Sequence, residues 1–530
     1  MLNNKCPNCG GLVNFDISKG QLKCESCDSL FLPEKYESMT GAKEYAENAA
    51  YSMSIFTCPN CGGSIASNEM EAVEYCLYCG SFVTLESQIE NVRKPDYILP
   101  FTKTKEECKK AYAKMISRKL YAPKEFRDPD FMESFKGIYI PYWTYDFECS
   151  SDVKLDGESE SRDGDYLVKQ NYSIKCNIDA SVEGICYDAS SSFDDDISGR
   201  IIPFDDEKLV PFKAPYMFGF FADTADISED VYLEDASEFA RDEIWDRVVT
   251  DPQVTEGHPV RPSDKKFDST FKMKSNTYLS MIPIWFLTWR KKDRVAYSVM
   301  NGDNGEMYAE IPVDIKRYLL FSLLLAFPIF AVLNLTTFSA ASMLKISMVL
   351  ALMMVFLYTF QLDRIVRKVL HVDDKGYTSV HEDEEEIASK VSDNFVVTLV
   401  KCIGSCIKPT GFWGIVIGAI VLFAALEYVI IGGALLIVVA IVYIFFRIGK
   451  NRKLLQDHTV WLDVLGSLIS LVLSAVMLIA DPAGDEFYYF AAIVCIVGVG
   501  LSAAMSMRRY NELVTRPLPR FFEREAGGEN

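Results

Sequence analysis

Cys6-Pro7-Asn8-Cys9-Gly10-Gly11 and, 52 residues further on, Cys58-Pro59-Asn60-Cys61-Gly62-Gly63 open two copies of one pattern. Each copy is completed, after 14 intervening residues, by a second pair: Cys24-Glu25-Ser26-Cys27 in the first and Cys76-Leu77-Tyr78-Cys79 in the second. A CxxC turn brings two sulfurs to one tetrahedral ion, and the amides that follow can donate to the thiolates. Two such turns at matched spacing supply four ligands, whereas a redox dithiol needs one pair only. The repeat therefore reads as two four-cysteine zinc ribbons holding two Zn²⁺. Cys6, Cys9, Cys24 and Cys27 are the expected ligands of one ion; Cys58, Cys61, Cys76 and Cys79 are those of the other. Four protein ligands leave no open coordination position, so both ions are expected to be structural. Ribbon 1 takes residues 1–33 and ribbon 2 residues 53–90, with a polar linker or short helix over 34–52. Each ribbon is too small to bury a useful core without its metal.

The chain has 15 cysteines, and the seven outside the tetrads (Cys108, Cys149, Cys176, Cys186, Cys402, Cys406 and Cys495) are scattered. That suits a reducing compartment in which thiolates bind metal. The polar start, Met1–Cys6, carries no secretory leader pattern, so the ribbons are expected in the cytoplasm. Net charge is −20, and residues 1–98 hold 7 Lys/Arg against 13 Asp/Glu, a balance of −6. Four thiolates on a dication add about −2 per site. Phosphate binding needs a basic stripe, so nucleic acid is not expected as a partner. Beside the second knuckle of each ribbon stand two apolar residues, Leu30 and Phe31 in one, Phe82 and Val83 in the other. Small ribbons have little interior, so these four are candidate contacts for a protein partner or a neighbouring domain.

Residues 91–317 read as an α+β domain rich in antiparallel β. The stretch 102–120 is rich in Lys, Glu and Ala and reads as a surface helix, with Cys108 facing the core. Tyr166 to Asp179 largely alternates apolar and polar side chains, the mark of a half-buried strand. Asn301-Gly302-Asp303-Asn304-Gly305 between two apolar runs predicts a hairpin. Ala236–Val249 predicts a helix with Asp235 at its N-cap. Ile140-Pro141-Tyr142-Trp143 is echoed by Ile282-Pro283-Ile284-Trp285, which suggests two related β units. The acidic runs Asp194–Asp196 and Asp205–Glu207 lack EF-hand spacing and are expected to be solvated loops.

Past Arg317 the composition turns to long apolar runs. Six spans are predicted, at 318–335, 346–362, 412–426, 428–446, 461–480 and 487–507. As one helix, the run 412–446 would measure about 52 Å against a hydrocarbon core of about 30 Å, so it is divided at Glu427. The spans form three hairpins, 318–362, 411–447 and 461–507, joined by loops 363–410 and 448–460 and followed by a tail, 508–530. Lys316 and Arg317, Arg364 to Lys368, Lys401 and Lys408, Arg447 to Lys453, and Arg508 and Arg509 then all fall on one side. By the positive-inside rule that side is the cytoplasm, and it holds both termini. Lys345 and Asp463 sit near span ends, where snorkelling or an interfacial site is the ordinary reading. Loop 363–410 carries an acidic cluster, Glu382–Glu386, and an amphipathic stretch, Phe395–Ile407, suited to the membrane surface. The fold class expected is thus multidomain: two small four-cysteine zinc ribbons, the β-rich α+β domain, and an all-α six-helix transmembrane region in the bacterial inner membrane.

The paired CPxCGG ribbons are followed by Pro95-Asp96-Tyr97-Ile98-Leu99-Pro100-Phe101 and Gly137-Ile138-Tyr139-Ile140-Pro141-Tyr142-Trp143. Together with Ile202-Pro203-Phe204-Asp205 and Pro283-Ile284-Trp285, they resemble bacterial double-zinc-ribbon membrane proteins, whose ribbons are likened to the TFIIB type. The resemblance covers roughly residues 1–315, and the six-span half departs from the simpler anchors of that group. It implies a membrane partner of cytoplasmic SPFH-type scaffold proteins in envelope maintenance, and it assigns no catalytic residue. No P-loop is present, and His258, His371, His381 and His458 form no HExxH or nucleophile–base spacing. The expected function is a membrane-anchored adaptor that docks a cytoplasmic protein. The alternatives are a transporter or channel regulated by the ribbons, and a membrane enzyme. A transporter would need a polar path through the spans.

Overall fold

A computed structural model of the chain describes residues 4–40, 50–67, 76–81, 86–164, 166–202, 204–251, 272–333, 339–381, 444–519 and 521. Around the first tetrad, β1 (Val13–Asp16), β2 (Gln21–Cys24) and β3 (Leu30–Phe31) form a separate antiparallel sheet. Helix α1 (Pro33–Thr40) follows directly. Around the second tetrad, β4 (Ala50–Thr57) pairs on one side with β5 (Ser64–Ser67) and on the other with β6 (Glu86–Arg93). Residues 34–52 are therefore more than a linker: α1 occupies the first part, and the sheet of ribbon 2 begins at Ala50 and runs to Arg93.

Ribbon 2 is continuous with the main sheet. That sheet contains β7 (Tyr97–Ile98), β8 (Lys136–Asp163), β9 (Tyr166–Asp188), β10 (Val210–Pro211), β11 (Phe221–Ala222), β12 (Met273–Lys291), β13 (Arg294–Asn301) and β14 (Met307–Ala309). Strand β11 bridges β5 of the ribbon to β8. The sequence echo has a structural counterpart: β8 and β12 are antiparallel neighbours, with Ile140 opposite Ile282 and Tyr139 opposite Pro283. Aromatic side chains from both motifs meet in the core, where Phe101 stacks on Phe220 at 4.4 Å and lies 5.2 Å from Tyr139 and from Trp285. Beyond Cys149, β8 and β9 continue as a two-stranded ribbon, since β12 ends its pairing there. The alternation at 166–179 belongs to this arm.

The expected hairpin forms between β13 and β14. Asn301 Oδ1 accepts from the amides of Asp303 and Asn304, and Gly305 takes φ +83°, which a side chain would strain. Helix α2 (Lys105–Ser117) has a complete capping box between Thr104 and Glu107, and Cys108 is buried on it. Helix α3 (Leu233–Thr250) starts earlier than expected, so Asp235 lies in its first turn and Tyr232 precedes it without a side-chain cap. Its acidic first turn, Glu234 and Asp235, still suits the helix dipole.

Four helices are long and apolar enough to cross a membrane: α4 (Ile315–Leu333), α5 (Ala340–Val369) and, after the short α6 (Lys375–His381) and the helix α7 (444–455), α8 (Val460–Ala480) and α9 (Asp485–Val514). This is four among the described residues against the six expected. The predicted spans 412–426 and 428–446 lie outside them apart from residues 444–446, as do Glu382–Glu386 and Phe395–Ile407. Helix α7 runs through most of the predicted loop 448–460. Helices α5 and α9 each have 30 residues, about 45 Å, so they project past the apolar core. The described part of the tail is also structured. After α9, β15 (Arg516–Pro517) adds itself antiparallel to β13.

Candidate metal centres and their attachment to the membrane helices

Each cysteine pair sits on a tight turn that the sequence builds in the same way. The amide of Gly10 donates to the carbonyl of Cys6 at 2.8 Å, that of Gly62 to Cys58 at 2.7 Å, that of Gly80 to Cys76 at 3.0 Å, and that of Asp28 to Cys24 at 3.1 Å. The donor residue in all four has positive φ, which explains three glycines and one strained Asp28. The turns aim the sulfurs inward. Cys6 and Cys27 lie 3.6 Å apart and Cys9 and Cys24 3.5 Å; in ribbon 2 the corresponding separations are both 3.7 Å. A tetrahedron with Zn–S bonds of about 2.3 Å has edges of about 3.8 Å, so both tetrads fit the ion. Each set of four lies within 4.8 Å. Gly11 and Gly63 amides donate to Cys9 and Cys61 sulfurs at 3.4 Å, as thiolates bound to a cation require.

The charges agree. The Ser29 hydroxyl and amide draw Cys27 down to about 6. Gly11 favours the Cys9 thiolate, but the sulfurs of Cys27 and Cys24 outweigh it and hold Cys9 up at about 12. In ribbon 2, the thiols of Cys61 and Cys76 draw Cys58 down to about 7, while Cys61 is raised by its neighbours. Four crowded sulfurs cannot all ionise alone; a dication lets them.

The two centres differ in exposure. All four ribbon 2 cysteines are buried, whereas Cys9 and Cys27 of ribbon 1 are exposed. Ribbon 2 is held on every side. Tyr78 donates to Asp223 at 2.6 Å, Tyr297 donates to the Tyr78 carbonyl at 2.8 Å, and Thr288 donates to the Leu77 carbonyl. Burial pushes the Asp223 carboxyl up to about 6, although Ser190 and Tyr78 hydrogen bonds oppose this. The C-terminal tail closes the remaining face: the Phe521 amide donates to the Cys61 carbonyl at 2.5 Å, and its ring meets Tyr78 at 5.4 Å. Among the described residues ribbon 1 is attached on one side, through Phe15 on Tyr216 and Tyr36 on Phe218.

The chain is similar to a curated protein. This is the uncharacterized protein YdjG of Bacillus subtilis (strain 168), 23% identical over 319 residues, which cover 59% of this chain and 91% of that protein. No family model matches, and no solved structure matches.

Of the candidate contact residues, Leu30 is exposed, and Phe31 is half-buried against Tyr36 at 6.0 Å; Phe82 and Val83 lie outside the described residues. Ribbon 1 has two further exposed leucines away from the second knuckle's own pair, Leu12 and Leu32. Leu30 and Leu32 stand two apart at the edge strand, so alternation puts them on one face.

Two polar clusters join this domain to the helices, and the sequence reading missed them. Arg516 pairs with Glu310 at 3.0 Å and with Asp194, and Lys368 near the end of α5 pairs with the same Glu310 at 2.8 Å. The run Asp194–Asp196 is therefore not a solvated loop. Asp195 accepts from Tyr232 at 2.7 Å and from the Lys375 amide at 2.9 Å, and only Asp196 faces outward, with Arg200. The second run keeps its exposed character, with Asp205 on Lys208 at 2.9 Å. Within the helices, Arg447 pairs with Asp363 at 2.9 Å, and Arg509 pairs with Asp463 at 2.7 Å; all four are buried. Asp463 is thus an ion-pair partner and not a snorkelling group. From it a row of buried hydroxyls, Ser467, Ser470 and Ser474, runs along α8 against Ser502 and Ser506 of α9. Periodicity of apolar residues could not reveal this row, because serine is too small to interrupt an apolar stretch.

Proposed function

We propose that the chain is a membrane-anchored zinc-ribbon adaptor that docks a protein partner at the cytoplasmic face of a bacterial inner membrane. The observation that carries this reading is the asymmetry of the ribbons. Ribbon 2 is built into the sheet and capped by the tail, whereas ribbon 1 leaves Leu12, Leu30 and Leu32 at 47%, 43% and 42% exposure beside two outward cysteines. Apolar groups on a rigid module that add nothing to its own core suit an interface. Closed tetrads support a docking role and not a catalytic one. An SPFH-type scaffold in envelope maintenance is the partner class that the resemblance implies.

The orientation rests on connectivity. Helix α4 begins just after β14, α5 ends beside Glu310, and α9 ends at β15 on the same sheet. Asp457, just before α8, pairs with Arg509 at 2.7 Å, at the end of α9 nearest the sheet. Each described hairpin thus leaves the soluble domain and returns to it. This supports an even number of crossings, six with the hairpin 411–447, and both termini in the cytoplasm. The buried serine row favours the alternative, a regulated transporter. Against it, Gly466 and Gly498 meet so closely that a Cβ on Gly466 would collide with the Gly498 carbonyl, the mark of tight helix packing.

The test is affinity purification of the full chain from solubilised membranes. A Leu12, Leu30 and Leu32→Ser triple variant is expected to remain in the membrane and to lose the partner that the wild type retains. Partner recovery unaffected by the triple variant would sink the ribbon 1 reading. Strong, salt-dependent binding of the purified chain to DNA or RNA would revive a nucleic-acid role.

A further inference from the structure

Where α7 turns into α8, the chain builds a cavity of about 990 Å³. Its walls are of two kinds. Phe445 and Phe446 of α7 and Trp461 of α8 form an apolar side, with the Phe445 and Trp461 rings 5.2 Å apart. Lys450, Arg452 and Lys453 form the other. Gly449 also lines it, and a Cβ there would meet nothing within 4 Å.

Among the described residues the positive charge here is uncompensated. Within that set Lys450, Arg452 and Lys453 have no carboxylate partner. Asp457, the nearest acid in sequence, is engaged by the Thr459 amide at 2.8 Å and by Arg509 at 2.7 Å. Asp363 and Asp463 are taken by Arg447 and Arg509. Among the described residues Arg452 hydrogen-bonds to His458 Nδ1, at 3.0 Å. A guanidinium can only donate, so this nitrogen accepts in that contact.

The position narrows the ligand. The cavity lies at the end of the bundle that adjoins the soluble domain, where Trp461 opens a span and Phe446 is 77% exposed. Along α8 the apolar surface continues through the exposed Leu462, Leu465 and Ile469. A soluble phosphate would use the cations and leave the aromatic wall wet. A phospholipid uses both, with its phosphate among the cations and its chains along α8. Basic pockets at this depth suit anionic headgroups, and tryptophan suits the headgroup level.

We propose that the α7–α8 junction is a binding site for an anionic phospholipid of the leaflet facing the soluble domain. The site recognises a phosphodiester headgroup with net negative charge and discriminates against zwitterionic lipid. The test is native mass spectrometry of the delipidated full chain, titrated with phosphatidylglycerol or phosphatidylcholine. Phosphatidylglycerol is expected to bind at least tenfold more tightly. Each neutralised cation should cost about fivefold, so the Lys450→Gln, Lys453→Gln double variant should lose most of that preference, while Lys291→Gln, an exposed lysine on β12, should keep it. Both lysines of the double variant are exposed, so folding should be unaffected, and retained zinc content checks this. Equal affinity for the two lipids, or a preference unchanged in the double variant, would overturn the proposal. Competition by equimolar inorganic phosphate would overturn it too, by assigning the cavity to a soluble anion.

Discussion

Arg516 stands where the tail, the sheet and the membrane helices meet. It faces both Glu310 and Asp194, and Glu310 is only 2% exposed. Arg516→Ala leaves these carboxylates under-compensated in a poorly hydrated site and is expected to destabilise the chain by about 3–5 kcal/mol. Arg516→Lys should recover only part, since a point charge replaces a planar fork. Thermal unfolding of the detergent-solubilised protein measures both. Asp188 gives a prediction of opposite sign. It is 2% exposed, its Oδ2 has no hydrogen-bond partner, and burial, reinforced by Asp195, raises its carboxyl well above the usual range. Asp195 is itself raised to about 6 by burial. A raised carboxyl stabilises the folded state while protonated, and that contribution is lost as pH climbs from the unfolded value of about 4 through the folded one. Asp188→Asn mimics the protonated form. It is expected to match the wild type below about pH 4 and to exceed it in melting temperature at pH 8. A variant less stable than the wild type at both pH values is the opposite outcome and would show that the carboxylate is needed ionised.

At the scale of elements, the ribbons share a sequence pattern but not a context. Cys9 and Cys27 face solvent, whereas ribbon 2 is enclosed by β12, β13 and the tail. Zinc release to a colorimetric chelator should therefore be biphasic, with one ion per phase. Cys24→Ser should abolish the fast phase alone, and Cys76→Ser should remove the slow ion and weaken the docking of the tail. A single phase for both ions would contradict the difference in burial. The tetrads were legible in the sequence because metal ligation fixes residue type and spacing together. The Asn301–Gly305 hairpin and α2 were legible because turn and cap chemistry is local. What was not legible is long-range. Nothing near Asp194 announces Arg516, 322 residues away in sequence. Nor does the tail's composition announce a strand, because β15 has two residues and gains its place from β13. The exposed Leu12 was passed over because its apolar character reads as core until the fold shows how little interior ribbon 1 has.

For the whole molecule the decisive question is how the helices are threaded, and the soluble domain constrains it from both ends. One chain end enters the helical region from β14, and the other leaves it into β15, which pairs with β13. The proposed topology puts a domain that receives both ends on one side of the membrane, which requires an even number of crossings; in it α8 and α9 form a hairpin whose turn, at Asp481 to Gly484, is remote from the domain. Cysteine labelling tests this directly. Among the described residues native thiols give little background on the outer face, since Cys495 is buried between the helices and the other described cysteines belong to the soluble domain; Cys402 and Cys406 are replaced by serine for the assay. A cysteine placed at Gly484 is expected to react with a membrane-impermeant maleimide applied to intact spheroplasts, and one placed at Glu384 only after permeabilisation. Labelling at both positions from outside would mean that the segment between α6 and α7 crosses an odd number of times. The buried Arg447–Asp363 pair, which joins α7 to the sheet-facing end of α5, could not then form.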